Sequence, residues 1–172
     1  MPIIYLSLVM VMGCRGRGGS NVHVGDGARY VNHTGDMQWV ELPDGSRVKL
    51  GDGAVIVLGQ QFALGNRVVD LDGEGMFVVH GMSGKLFVVT TKNLIIQGPG
   101  TRFRVDAVRK RPGEEVDLLE GRLTVRKSYH SDLDNEPEVL EAGDMVMINR
   151  EIDLMEKEKM NAEEIGKVKG KF

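Results

Sequence analysis

Four histidines, one cysteine and a few paired carboxylates are the residues of this chain whose types could do chemistry. His23, His33, His80 and His130 never fall three or four apart from one another. Neither a zincin pair nor a cupin-like centre is indicated. His80 ends an apolar run at a strand–turn boundary, the position of an exposed edge histidine. A single cysteine allows no intramolecular disulfide and no Cys-based zinc site. No serine lies in a Gly-x-Ser-x-Gly context, so there is no nucleophile elbow. Gly98-Pro99-Gly100-Thr101 lacks the lysine and the following helix of a phosphate loop. Glu114 and Glu115 are adjacent, and Asp70 and Asp72 share one face of a strand, a spacing a glycosidase could use across a groove. Alternation with Val69 and Leu71 makes that face a solvated one. No catalytic residue, metal site or cofactor is expected.

The elements that would hold such residues are strands. The chain has 172 residues, enough for one domain of ordinary size. Twenty-two Lys and Arg against 25 Asp and Glu give a net charge of −3, which argues against nucleic acid as a partner. Hydrophobic residues are 41% and aromatics only 5%, while Val numbers 22 and Gly 23. Valine suits a pleated surface and glycine supplies turns. Short apolar runs near 46–50, 54–58, 67–71, 76–80, 86–91, 94–97, 102–108, 115–119, 122–127 and 145–148 are mostly separated by glycines. The pattern predicts an all-β fold of about ten short strands, a sandwich, barrel or solenoid, without βαβ units. A recurring Gly-x-apolar-x-apolar unit at Gly53, Gly75, Gly84, Gly121 and Gly143 favours a solenoid, each glycine closing a turn. Around Arg102-Phe103-Arg104-Val105, alternation turns Phe103 and Val105 inward and both arginines out to solvent.

Residues 2–13 are uncharged and end at Cys14, too short for a bilayer span of about 20 residues. Val11-Met12-Gly13-Cys14 resembles a bacterial lipobox, which makes Cys14 a lipid-attachment candidate. The alternatives are the tail of a longer membrane helix or a core strand. Residues 15–38 read as a Gly-rich tether holding one short strand near 28–32. Residues 39–149 form the β domain. Residues 150–172 are charge-rich without strand alternation, and Asn161 caps a short helix begun by Ala162-Glu163-Glu164. Trp39, before the first regular strand, either caps the core or anchors a partner interface.

A set of short motifs adds to this. Leu42-Pro43-Asp44-Gly45-Ser46-Arg47-Val48-Lys49-Leu50 resembles the opening of the FecR domain of envelope proteins that regulate sigma factors. In the family's order follow Gly73-Glu74-Gly75-Met76-Phe77, Leu86-Phe87-Val88-Val89-Thr90-Thr91, Gly100-Thr101-Arg102-Phe103-Arg104-Val105, Glu120-Gly121-Arg122-Leu123 and Leu140-Glu141-Ala142-Gly143-Asp144. Together they cover about residues 40–149. Asp44, Gly45, Leu50, Gly73, Glu74, Phe77, Gly100, Thr101, Phe103, Glu120, Gly121 and Gly143 then mark the fold rather than a binding surface. The family departs from this chain at Gly75, Val78 and Pro99.

The resemblance implies a non-enzymatic, membrane-tethered periplasmic sensor that binds the signalling domain of a TonB-dependent receptor. A sigma factor would be reached only through a cytoplasmic region that is not in this chain, and 150–172 would open a truncated C-terminal domain. The alternatives are a scaffold lipoprotein that kept the fold without signalling, and, less favoured for want of aromatic platforms, a carbohydrate-active solenoid using Asp70 and Asp72.

Overall fold

A computed structural model describes residues 27–172. Its thirteen strands begin with β1 (Arg29–Val31), β2 (Gln38–Glu41), β3 (Arg47–Leu50) and β4 (Val55–Leu58). After a 3-10 turn at Phe62–Leu64 come β5 (Val68–Val78), β6 (Phe87–Thr90), β7 (Leu94–Gly98) and β8 (Arg102–Ala107). The chain continues with β9 (Gly113–Glu120), β10 (Arg122–Lys127), β11 (Glu138–Glu141), β12 (Asp144–Asn149) and β13 (Leu154–Lys159), and ends in α1 (Ala162–Lys171). Apart from α1 and the 3-10 turn, the described residues are strand and connection, as the glycine-punctuated valine runs predict.

All thirteen strands belong to one sheet, ordered β11-β10-β7-β6-β5-β8-β9-β12-β13, with β3 and β4 also on β5, β2 on β3 and β1 on β4. Every pairing is antiparallel except β5 with β6. That is the pairing of hairpins, not the parallel stacking of solenoid coils. The two ends of the sheet are brought together by the tight β11–β12 turn. There Lys157 of β13 donates to the Val139 carbonyl of β11 at 3.2 Å, so the sheet rolls into a nearly closed barrel.

β5 explains the roll. Its first half pairs with β4 and β6, its second with β3 and β8. The apolar runs at 67–71 and 76–80 are therefore one strand of 11 residues bent at Gly73. Gly73 has φ +109°, and a Cβ there would stand 2.8 Å from Ala54 Cα, so only glycine lets β4 come this close. Gly75, by contrast, closes no turn. It lies inside β5, where a Cβ would press on the Phe77 ring at 3.0 Å.

Alternate residues line the barrel. Val48, Leu50, Ile56, Val69, Phe77, Val105 and Val116 are fully buried, and Phe103 stacks on Phe77 with centroids 4.9 Å apart. The continuous runs of β6 and β7 fall mid-sheet, as their lack of alternation predicts, although only one face of each is fully buried. The C-terminal stretch departs from expectation. Leu154–Lys159 pairs along all of β12 although five of its six residues are exposed, because an edge strand needs only one anchoring side chain, here Met155. α1 begins where Asn161 predicts. The Asn161 side chain accepts from the Glu163 and Glu164 amides, and the Glu164 carboxylate accepts from the Asn161 amide in return. No helix of the described residues is long and apolar enough to cross a membrane. Cys14, the segment 1–14 and the first part of the tether lie outside the described residues.

Candidate functional site

Asp44 does more than supply a turn. Arg67, absent from the motif set, is 1% exposed and donates from Nε to Asp44 Oδ2 at 2.8 Å. Its other nitrogens donate to the carbonyls of His80 and Lys85, and the guanidinium lies 5.3 Å from the Phe87 ring centroid. Asp44 also receives the Ser46 hydroxyl at 2.8 Å, and Ser46 Oγ accepts the His80 amide. The β2–β3 hairpin, the start of β5 and the β5–β6 loop are thus bolted to one buried cation. The Gly100-Thr101 motif works by contact. A Cβ on Gly100 would stand 2.9 Å from Gly81 Cα, and one on Gly121 2.7 Å from Thr101 Cγ2.

Arg104 corrects the sequence reading. It points out of the barrel, yet is 7% exposed, because α1 crosses the outer face above it. Cross-strand register sets a transverse row, Trp39–Lys49–Met76–Arg104–Asp117–Met145–Glu158. α1 starts beside β12 and ends at β5, where Lys171 meets Glu74 at 2.9 Å and its carbonyl accepts from Lys49. Arg104 serves four carboxylates, Glu74 at 2.6 Å, Glu115 and Asp117 at 2.7 Å, and Asp106 at 2.9 Å. Burial opposes its charge, but the bonds from Glu74 and Asp117 more than offset this and raise its pKa. Asp117 is pushed up to about 6 by burial, with Glu115 repelling it against the pull of Arg104. Burial raises Glu74 too, but Lys171 and Arg104 outweigh it and leave the carboxyl below its ordinary value.

Four strands are edges among the described residues: β1, β2, β11 and β13. β1 has three residues. β13 presents Glu156, Lys157, Glu158 and Lys159, charges that discourage another strand. The outer side of β11 is occupied by Lys157 on the Val139 carbonyl and by Asp144 on the Glu141 amide. β2 pairs only with β3. The Leu42 amide bonds the Ser46 carbonyl, so by antiparallel alternation Val40 bonds toward β3 while the Trp39 and Glu41 backbone groups face outward. Trp39 caps no core. It is 41% exposed, with Arg47 and Lys49 over its ring at 5.1 and 5.8 Å.

Asp70 and Asp72 lie on a different groove of about 470 Å³, floored by Val55 and Val57 and rimmed by Arg29, Lys92 and Arg109. Asp72 is held by Arg109 at 2.6 Å and no aromatic ring lines the groove, so the arrangement offers no sugar platform. Glu114 does not act with Glu115. It turns inward, bonded by Thr91 and by the Asn93 amide and side chain, and burial raises its pKa. Glu120 is an exposed partner of Arg102 at 3.4 Å. No group of three His, Cys, Asp or Glu among the described residues is placed to hold a metal.

Residues 28–126, more than half the chain, match the family model described as FecR protein. The chain belongs to the FecR family. The match runs from the approach to β1 through most of β10, so the Leu140–Asp144 motif, β12, β13 and α1 lie beyond it. Two crystal structures of a candidate anti-sigma factor from Parabacteroides distasonis, at 2.50 and 1.65 Å resolution, share the fold. Each superposes with a TM-score of 0.70 at 24% identity over 80% of this chain. The chain spans 62% of the length of those proteins. No curated protein sequence matches it.

Within the FecR frame, the motif residues divide between core, turns and surface. Leu50, Phe77 and Phe103 are core, while Gly45, Gly73, Gly121 and Gly143 take positive φ. Arg67 and Arg104 have no sequence signal of their own. A charged residue beside an apolar strand reads as solvent-facing until the element that covers it is known.

Proposed function

We propose that this FecR-family chain is a signalling regulator that works by binding another protein, with β2 as the docking edge. The observation that carries this is the outer side of β2, unpaired among the described residues and beside exposed Trp39, when the other edges are short, charged or already capped. An extended partner segment adding to that edge gains main-chain hydrogen bonds, and a side chain packed on Trp39 gives register. On this reading the partner is the periplasmic signalling domain of a TonB-dependent receptor, and the domain sits in the envelope, tethered through Cys14 or a membrane helix. The output, on this reading, is passed on to a sigma factor. No step requires catalysis.

The test is titration calorimetry of the chain against the periplasmic signalling domain of a TonB-dependent receptor from the same organism. Glu41→Pro removes an outward amide while leaving the bonds to β3 intact, which an edge strand tolerates. It should cost at least tenfold in affinity with little change in melting temperature, and Trp39→Ala should do the same. Full affinity in both variants would refute the edge. Palmitate-analogue labelling lost in Cys14→Ser would support the lipid tether, and labelling that survives would refute it.

A further inference from the structure

We infer that the open half of the outer sheet face, alongside α1, is a berth for an amphipathic cationic helix supplied by a partner protein. This surface is separate from the β2 edge, and the inference goes beyond the reading proposed above.

The berth is a groove of about 470 Å³ on β9, β12 and β13. Its apolar side chains are Met147, Ile152 and Leu154, exposed by 38, 61 and 42%. They are three of the eight large exposed hydrophobics among the described residues, and all come from one hairpin. Their clustering, rather than their exposure, marks a contact surface. Gly113 keeps the floor flat between them and the Arg111–Pro112 turn.

The dimensions fit a helix. Same-face rows of a sheet are two residues apart, about 7 Å along the strand. α1 lies over the row Met76–Arg104–Asp117–Met145, and the groove covers the next two rows, Asp106–Glu115–Met147–Glu156 and Gly113–Asn149–Leu154. A helix between those two rows would run about 10 Å from α1, the spacing of packed helices. From β8 to β13 is three strand spacings, about 14 Å, the length of about ten helical residues. α1 covers its own half of the face in the same way, so a helix on a transverse row is a geometry this sheet already accepts.

Charge selects the occupant. Glu74, Asp106, Glu115 and Glu156 line the acidic side, with Asp117 in the row beside Glu115. The cations paired with these five carboxylates are three, Arg104, Arg111 and Lys171, and Glu164 and Lys167 of α1 beside them cancel, which leaves an excess of two negative charges. Apolar floor and acidic rim call for Leu, Ile or Met at i, i+3, i+4 and i+7 with Lys or Arg flanking.

The probe is a fluorescein-labelled 15-residue peptide with a Leu stripe at that spacing and Lys flanks, titrated by anisotropy into the full chain. One control peptide has the same residues with the stripe scattered, and another has Glu in place of Lys. The striped Lys peptide should bind, and binding should weaken with salt. Met147→Asp and Ile152→Glu should each weaken it at least tenfold while circular dichroism melts stay as in the parent, and Glu156→Lys should shift preference toward the Glu peptide. Glu41→Pro should leave peptide binding unchanged, which separates this surface from the β2 edge. No binding, equal binding of the scattered peptide, or parent-like binding by both apolar variants overturns the inference. So does a concentration-dependent dimer abolished by Met147→Asp, which would make the face an interface between copies.

Discussion

Arg67 and Arg104 show two ways of keeping a guanidinium under cover. Arg67 has one carboxylate and a cage of carbonyls, so its charge balance rests on Asp44 alone. Removing one partner of a buried pair strands the other and costs about 3–5 kcal/mol. Asp44→Asn should therefore lower stability by about that amount in urea unfolding, far more than loss of a turn dipeptide. Arg104 is shared among four carboxylates, and Asp117 and Glu115 both accept from its Nη1. Asp117 feels this, its pKa raised from 3.8 to about 6. A carboxyl raised in the folded state contributes stability that is full below its unfolded pKa and is lost as pH rises through the folded one. From pH 4 to 6.5 the parent should thus lose stability relative to Asp117→Asn, which has no proton to release. Thermal melts across that range check it, and a gap that widens in the opposite direction would mean the Arg104 pairing dominates.

At the scale of elements, α1 is attached more lightly than any mid-sheet strand. Its buried contact is the small cluster of Val168, Leu119 and Met160, with Met145, Ile165 and Phe172 packed around it. Charge contacts at its C-terminal end, Lys171 on Glu74 and Arg102 over the Phe172 ring at 4.5 Å, hold the other side. A ten-residue helix is marginal in isolation, so the capping box at Asn161 matters for its persistence. Asn161→Ala should cost the helix about 1 kcal/mol. Hydrogen exchange should speed up in residues 162–171 several-fold while β5 and β8 keep their protection, since opening α1 breaks no strand pairing. Equal loss of protection in β5 would show that α1 and the barrel unfold as one unit. The same light attachment explains why the sequence discloses α1 but not what it covers. Asn161 and Glu164 announce a helix start locally, whereas the burial of Arg104 depends on a helix that begins 58 positions later in the chain.

For the molecule as a whole, the strand runs and turn glycines are readable from the chain because period-2 alternation and positive φ are local demands. Closure into a barrel is not, since nothing in the 67–71 and 76–80 runs says they are one strand serving both halves. β5 carries that information in its pairings with four strands, and Gly73 is where it passes from one half to the other. Two glycines isolate its effect. Gly53 has φ +72° and nothing within 4 Å of where a Cβ would stand, so alanine there meets only the backbone penalty, about 1–2 kcal/mol. Gly73 has φ +109° and in addition would put a methyl 2.8 Å from both Ala54 Cα and Cβ, a contact that forces β4 away from β5. Gly73→Ala should therefore be clearly the more damaging of the two. Because β5 is shared, the damage should be global: one urea transition at a lower midpoint, coincident by far-UV circular dichroism and by Trp39 fluorescence. Separate transitions would mean that the two halves of the sheet fold independently, and equal midpoints for Gly53→Ala and Gly73→Ala would mean that β4 gives way without cost.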